Sequence, residues 1–262
     1  MSLYIVAVPI GNLGDITLRA IEILNKVDFI IAEDTRYSLK LLNHLKIKKK
    51  LISYHKHNEV KKSELILRML KKSDGAIITD SGTPLISDPG FVLVKKAMES
   101  GIELISIPGP SALITALTIS GIDPSKFIFL GFPPRTDSKL RSFLSKVKSL
   151  EFTLVFYESP RRVEKFLKIA EEIFGKREFA IVKELTKKNE KAIRGSLNKY
   201  SEIIADEIIL GEIVIIIEGS VSKSVEGVPE INTMEDIYTY FKTKYSISKN
   251  DLKKRIMRKK NS

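Results

Sequence analysis

The stretch 75–90 constrains the fold more than any other part of this sequence. It opens with a short apolar, β-branched run at 76–79, which is typical of a strand buried on both faces. The next residues read DSGTPLISDPG (80–90) and contain too many breakers to form a helix or a strand. Open α/β sheets bind their ligands where a buried strand ends in such a loop. An ordinary connection is the alternative, but it usually needs only about two to six residues. We therefore predict a ligand-binding loop here.

The composition indicates a globular protein with one large or two medium domains. The chain has 262 residues, and 43% of them are hydrophobic, which is enough to form real cores. Cysteine is absent, which excludes disulfides, thiolate metal sites and a cysteine nucleophile and fits a reducing cytoplasm. The first residues lack a basic segment and are interrupted by Pro9 and Gly11, so they predict a strand rather than a signal peptide. The longest later apolar run, 213–217, is too short to cross a bilayer.

The charge is strongly positive, with 44 Lys and Arg residues against 32 Asp and Glu residues and a net charge of +12. Such a balance favours a polyanionic partner such as nucleic acid. A proteome that is generally rich in lysine is the alternative. Charge alone does not decide between them.

A Gly-rich loop follows the predicted first strand, 4–8. Its glycines, Gly11 and Gly14, have the spacing G-x-x-G, which fits neither the dinucleotide fingerprint nor the P-loop. A helix is predicted to begin at Thr17, with Asp15 or Thr17 as its N-cap.

Acidic and basic residues follow the second predicted strand, 29–32. Glu33, Asp34 and Arg36 either form a polar rim on the ligand cleft or are the ordinary first turn of a helix. Further along, His55 and His57 are two residues apart with no obvious third ligand, so we expect no zinc site.

The first 120 residues have the pattern of alternating strands and helices that predicts a parallel sheet. Another strand is predicted at 102–107. It ends in the turn PGPSA (108–112), which places Ser111 at the N-cap of a helix at 112–120. We therefore predict an N-terminal α/β domain at 1–120.

A second α/β domain is predicted at 121–222, and a linker with a basic helical tail at 223–262. The predicted strands of the second domain are 127–131, 153–156, 179–183, 192–195 and 212–217. The tail carries seven Lys or Arg residues within 249–260. It is either a frayed charged end or an arm for nucleic acid.

Six motifs in this order carry a resemblance to a known family. They are PIGNLGDITLR (9–19), AEDTR (32–36), DSGTPLISDPG (80–90), PGPSA (108–112), FYESP (156–160) and ELTK (184–187). From about Leu3 to Gly219 the chain resembles the bacterial small-subunit ribosomal RNA (cytidine 2′-O)-methyltransferases, a branch of the tetrapyrrole methylase superfamily.

The resemblance implies a fold, a cofactor and a substrate. The fold would be two α/β domains of the tetrapyrrole methylase type with S-adenosylmethionine in the cleft between them, usually in a homodimer, and here with a small basic helical extension. The acceptor would be the ribose 2′-hydroxyl of a decoding-site cytidine in ribosomal RNA. No metal and no membrane are implied.

The resemblance also implies roles for individual residues. The implied cofactor contacts are Pro9, Ile10, Asp80, Thr83, Ile86, Ser111, Ala112 and Tyr157. Because the cofactor has no phosphate, a site built from glycine and proline loops rather than a P-loop lysine suits it. The acceptor hydroxyl needs a nearby base or cation. The candidates are Glu33, Asp34, Arg36, Lys183 and Glu184, and the sequence does not choose among them.

Two rival functions remain open from the sequence. A methylase of small tetrapyrroles would share the cofactor loops but leave the basic tail and the +12 charge without a role. A non-catalytic RNA-binding protein would explain the charge but not the elaborate cleft loops.

Overall fold

Two five-stranded sheets are formed by separate stretches of the first 220 residues. The computed structural model describes residues 1–220, 233–245, 248 and 251. Residues 1–220 form one compact unit, and Val221–Ser262 form a second.

The first sheet is entirely parallel, as predicted, with the strand order β3-β2-β4-β1-β5. Its strands are β1 (Ser2–Val6), β2 (Phe29–Ala32), β3 (Lys50–Ser53), β4 (Gly75–Ile78) and β5 (Glu103–Ile107). Its helices are α1 (Leu18–Lys26), α2 (Thr35–His44), α3 (Glu59–Leu70), α4 (Phe91–Glu99) and α5 (Ala112–Ser120). Alternate residues of β1 enter two cores: Leu3 packs in one and Tyr4 in the other. Both faces of the sheet are therefore covered, which explains the nearly continuous apolar runs of its central strands.

The second sheet is mixed, with the order β6-β7-β10-β8-β9. Its strands are β6 (Phe127–Phe129), β7 (Thr153–Glu158), β8 (Glu178–Lys183), β9 (Lys191–Ser196) and β10 (Ile213–Ile217). Only β6 and β7 pair in parallel, and the other neighbours are antiparallel. The helices α6 (Asp137–Val147), α7 (Val163–Phe174) and α8 (Tyr200–Ile204) complete this part of the chain.

Helix α5 joins the two sheets through its apolar side chains. Leu113, Ala116 and Leu117 of α5 are buried in one cluster with Val182 of β8 and Val214 of β10. A helix that is apolar on most of its surface is expected to be buried on several sides. Because α5 leaves the carboxyl end of β5, this packing brings the loops of the first sheet to the second.

The sequence predicted many of the elements correctly but missed some short ones. The predicted strand 29–32 and helix 112–120 coincide with β2 and α5. Strand β1 ends at Val6, and Val8 forms only an isolated bridge with Gly82. Neither β3 nor α3 was predicted from the sequence, because both begin within a polar, lysine-rich stretch. Thr17 is the N-cap of α1, where its side chain accepts a hydrogen bond from the Ala20 N–H.

The second unit contains helix α9 (Met234–Tyr245). Of the predicted linker and basic tail (223–262), the residues before 233 and nearly all of the basic cluster at 249–260 lie outside the described residues. No helix in the described part of the chain is long and apolar enough to cross a membrane.

Candidate active site

Four residues with positive φ angles give the loop that follows β4 a tight conformation. They are Gly82, Leu85, Ser87 and Gly90, with φ angles of 80°, 74°, 71° and 134°. Leucine and serine rarely adopt positive φ, and such strain is concentrated at ligand and active sites. The loop predicted from the sequence is therefore a compact structure rather than a loose connection.

Contacts tie this loop to the loops that follow β1 and β5. Val8 and Gly82 exchange two backbone hydrogen bonds of 2.9 and 3.1 Å. The hydroxyl of Thr83 donates to the carbonyl oxygen of Pro110 at 3.1 Å. Three carboxyl-terminal loops of the parallel sheet thus meet at one edge, where open α/β sheets bind ligands.

A first cavity of about 330 Å³ lies at this edge, and residues of the second sheet form its other wall. Six of the eight predicted cofactor contacts line it: Ile10, Thr83, Ile86, Ser111, Ala112 and Tyr157. Phe132, Leu185 and Val214 add apolar surface. The Tyr157 ring packs edge-on against Phe132 at a centroid distance of 5.5 Å.

The first cavity is lined by carboxylates and by no basic side chain among the described residues. Its acidic residues are Asp88, Glu158 and Glu212, and of these the Glu158 side chain is only 1% exposed and pairs with Arg162. Burial raises the pKa of Asp88, and it also raises the pKa of Glu158 although Arg162 lies 3.1 Å from its carboxylate. In a chain with a net charge of +12, such a lining favours a cationic ligand and disfavours a phosphate.

Asp88 is linked through Thr79 to Glu33, an acidic residue that lines neither cavity. The Thr79 hydroxyl lies 2.8 Å from Asp88 Oδ2 and 3.2 Å from Glu33 Oε2. A hydroxyl has one proton to donate, so both contacts are hydrogen bonds only when one carboxyl is protonated. The pKa of Glu33 is raised, chiefly by burial and then by the charges of Asp88 and Asp80, which is consistent with a shared proton.

A second cavity of about 310 Å³ lies beside the first. The two share Ile10, Ser81 and Glu212. The remaining predicted cofactor contacts, Pro9 and Asp80, line this second cavity. The cofactor residues predicted from the sequence are thus distributed over two neighbouring spaces.

The first pair of predicted catalytic residues, Asp34 and Arg36, stabilises the start of α2. Asp34 is the N-cap, and its carboxylate accepts from the Arg36 backbone N–H at 2.9 Å and pairs with its guanidinium at 2.7 Å. These hydrogen bonds lower the pKa of Asp34 to about 2. The Arg36 side chain is 88% exposed. The geometry matches the helix-start alternative.

The second pair, Lys183 and Glu184, makes ion pairs at the end of β8. Lys183 is buried, pairs with Glu207 at 3.3 Å and also donates to the carbonyl oxygen of Ile208. Glu184 pairs with Lys187 at 3.0 Å. None of the four side chains in these two predicted pairs lines either cavity, and neither does Glu33, the fifth candidate.

Glu212 is a residue of the site that the sequence analysis did not assign. It directly precedes β10, and β10 is antiparallel to β7 and β8. The start of β10 therefore lies at the same edge as the ends of its neighbours. The site residues predicted from the sequence lie at or after the carboxyl ends of strands, whereas Glu212 precedes a strand.

The histidines form no metal site in the described part of the chain. The rings of His55 and His57 are 6.0 Å apart, and no group of three or more potential ligands occurs among the described residues.

Comparisons with known proteins identify the family. Residues 2–200 match the family described as Tetrapyrrole (Corrin/Porphyrin) Methylases. Proteins named Ribosomal RNA small subunit methyltransferase I are also similar. The one from Halalkalibacterium halodurans is 44% identical over 85% of this chain and 77% of its own length. The one from Bacillus subtilis is 39% identical over 96% of this chain and 88% of its own. The one from Thermotoga maritima is 44% identical over 83% of this chain and 98% of its own. The chain therefore belongs to the tetrapyrrole methylase family, and within it to the group named ribosomal RNA small subunit methyltransferase I.

Proposed function

We propose that this chain transfers a methyl group from S-adenosylmethionine to the ribose 2′-hydroxyl of a cytidine at the decoding site of small-subunit ribosomal RNA. Membership of the methylase family and the names of its relatives support methyl transfer to ribosomal RNA. The observation that carries the cofactor assignment is the first cavity, which is lined by the acidic residues Asp88 and Glu212 and by no basic residue among the described ones.

The first cavity fits the chemistry of S-adenosylmethionine. The cofactor carries a sulfonium and an ammonium cation against one carboxylate, so Asp88 and Glu212 offer complementary charge. Phe132 and Tyr157 offer apolar surface for its adenine. The cavity volume of about 330 Å³ lies within the usual range of about 300–1,000 Å³ for small-molecule sites.

Small residues and tight turns let the backbone approach this ligand. Gly82 has φ of 80°, and a β-carbon there would lie 3.3 Å from Ile10 Cγ2. A larger residue would be strained and would press Ile10 towards the cavity. When bound, the cofactor supplies a methyl group that its sulfonium already activates, so the protein mainly has to align the acceptor oxygen and exclude water.

The positive charge of the chain supports RNA as the substrate. Phosphate contacts supply much of the affinity for nucleic acid and position it. Arg36, with its side chain 88% exposed, is proposed as one such contact. Asp34, Lys183 and Glu184 are proposed to hold the loops around the site. Cytoplasmic location and a homodimer complete the proposal, which the family resemblance motivates.

Methylation of a small tetrapyrrole is the second candidate, because the matched family is named for it. The first cavity would hold the methyl donor for either acceptor. The net charge of +12 favours RNA.

Methyl transfer from labelled cofactor to isolated small ribosomal subunits, naked ribosomal RNA and a precorrin, in parallel, tests the proposal. We expect label in the ribosomal substrates and none in the precorrin. Label in the precorrin alone would refute the RNA assignment.

Two glycine variants connect the activity to the first cavity. Gly82→Leu should abolish cofactor binding. Gly101→Leu is the matched control, because Gly101 also has a positive φ of 72° but a β-carbon there meets nothing within 4 Å. Equal cofactor affinity in the two folded variants would show that the cofactor binds elsewhere.

A further inference from the structure

We propose that the second cavity holds the acceptor nucleotide, with its sugar hydroxyl directed to the opening that the two cavities share. This inference rests on the proposed function, because it takes the first cavity as the site of the methyl donor. It assigns Pro9 and Asp80 to the acceptor rather than to the cofactor.

The arrangement of the two cavities suits a reaction between two ligands. They have similar volumes, about 330 and 310 Å³, and share Ile10, Ser81 and Glu212 as a common boundary. Ligands in the two spaces would meet at this boundary. Fixed proximity of this kind is a main source of rate enhancement in methyl transfer to a weak nucleophile.

Ser38 is an independent sign that the second cavity takes a polar ligand. Its side chain lines the cavity, the residue is only 3% exposed, and its Oγ has no hydrogen-bond partner among the described residues. Buried hydroxyl groups are nearly always hydrogen-bonded. A ligand with a polar group in this cavity would supply the missing partner.

The side chains around the second cavity match a nucleotide. Tyr37 is 55% exposed and lines the cavity, and Lys40 Nζ lies 5.6 Å from its ring centroid. An exposed ring can stack a base that has left its helix, as in recognition of single-stranded RNA. Lys40 and Lys187 offer cations for phosphate, and Asp80 offers an acceptor for an amino or hydroxyl group. The first cavity offers no such cations from the described residues.

Glu212 is the only ionisable side chain that lines both cavities in the described part of the chain. The structure therefore assigns to it the acceptance of the hydroxyl proton. Transfer breaks the O–H bond of the acceptor and the S–C bond of the donor and forms an O–C bond. The electron pair of the S–C bond stays on sulfur, and the proton goes to the Glu212 carboxylate. A base in this position contributes to catalysis without contributing much to binding.

Steady-state transfer to small ribosomal subunits and calorimetric binding of S-adenosylmethionine test the assignment together. Tyr37→Ala should raise the KM for the subunit about tenfold, because base stacking is lost, and Tyr37→Phe should recover most of that loss. Ser38→Ala should raise the KM severalfold without lowering the melting temperature, since the lost hydroxyl has no partner within the described protein. Cofactor affinity should stay within twofold in all three. Leu39→Ala, at an exposed position of the same helix that lines neither cavity, is the matched control and should change neither constant.

Glu212→Gln separates catalysis from binding. We expect kcat to fall at least a hundredfold while the KM for the subunit changes little. A normal kcat would remove Glu212 from the mechanism.

The outcomes distinguish the inference from the proposed function. Unchanged KM in both Tyr37→Ala and Ser38→Ala, with active wild-type protein, would overturn the inference and leave the function standing. Weakened cofactor binding in these variants would assign the second cavity to the cofactor and would also overturn the inference.

If the wild-type chain transfers no methyl group, the proposed function fails. In that case, RNA binding tests the assignment of the second cavity. Fluorescence anisotropy, with S-adenosylhomocysteine present, compares the affinity of a short single-stranded RNA for wild type and for Tyr37→Ala. A severalfold loss supports the cavity assignment, and equal affinity contradicts it.

Discussion

Gly11 lies directly against Lys187: a β-carbon on Gly11 would sit 2.6 Å from Lys187 Cγ and 2.7 Å from the carbonyl oxygen of Leu185. Gly11 follows β1 and Lys187 follows β8, so this contact joins the loops of the two sheets. Both residues line the second cavity. Only a residue without a side chain allows the two loops to approach so closely.

Gly11→Ala should therefore force these loops apart. We expect a loss of about 1–3 kcal/mol in the free energy of unfolding and a raised KM for the ribosomal substrate. Gly14→Ala, in the same loop, is the control, because its β-carbon would contact only the Asn12 side chain, at 3.2 Å or more. Urea unfolding and steady-state kinetics measure both effects. Equal behaviour of the two variants would show that the Gly11–Lys187 contact is unimportant.

Asp88→Asn should weaken S-adenosylmethionine binding about tenfold while stabilising the ligand-free protein. The pKa of Asp88 is raised above 3.8 by burial, so its carboxylate lowers stability at neutral pH. That loss is relieved as the pH falls through the folded-state pKa. The asparagine is neutral at every pH and keeps a group that can contact Thr79. Thermal unfolding and calorimetry at pH 7.5 provide the comparison, and weaker binding together with lower stability would contradict this reasoning.

The same carboxyl makes cofactor affinity depend on pH. A cation prefers the ionised form, so wild-type affinity should rise with pH through the raised pKa of Asp88 and become constant above it. In Asp88→Asn this rise should be smaller. An identical pH profile for the two proteins would place Asp88 outside the cofactor site.

Arg162→Ala should destabilise the protein by about 3 kcal/mol, because it leaves a buried charge without its partner. The Glu158 side chain is only 1% exposed, and Arg162 lies 3.1 Å from it and also donates to the carbonyl oxygens of Pro133 and Pro134. The loop that carries Phe132 is therefore attached to β7 through this guanidinium.

A double variant separates charge burial from loop attachment. Adding Glu158→Gln to Arg162→Ala should recover part of the stability, and the neighbouring exposed residue Arg161 provides the control variant Arg161→Ala. Denaturant unfolding gives the three free energies. If Arg161→Ala costs as much as Arg162→Ala, the buried pair has no special role.

Truncation after Val228 should leave cofactor binding unchanged and raise the KM for the ribosomal substrate severalfold. The first compact unit ends at Ser220, so both cavities remain. The removed segment contains the seven basic residues at 249–260, so the salt dependence of RNA binding should also decrease. A truncated protein with the same KM at every salt concentration would show that the tail does not capture RNA.

The sequence was informative where local rules decide the structure. The breakers at 80–90 and the apolar run before them identified the loop after β4 and its function as a cavity wall. Asp34 and Arg36 were ambiguous, because an acid and a base at the start of a helix suit both a cap and a rim. The structure resolves this through the hydrogen bonds between them.

Long-range pairing produced what the sequence could not predict. Glu212 reaches the site because β10 is antiparallel to its neighbours, and no local pattern specifies that direction. In the sequence pattern, Tyr37 and Ser38 are ordinary residues of an amphipathic helix. They become cavity residues only because α2 lies beside the loop that follows β1. Pro9 and Asp80 line the second cavity, and no sequence motif indicated this division of the predicted cofactor contacts.

The position of the transferred methyl group on the RNA distinguishes methylation of the ribose from methylation of a base. Small ribosomal subunits labelled by this enzyme would be stripped of protein, and their RNA digested with alkali and analysed by mass spectrometry. Alkaline cleavage needs a free 2′-hydroxyl, so methylation of that oxygen protects the adjacent phosphodiester. We expect the label in an alkali-resistant dinucleotide that begins with the methylated cytidine. Label recovered in single nucleotides methylated on the base would contradict this expectation.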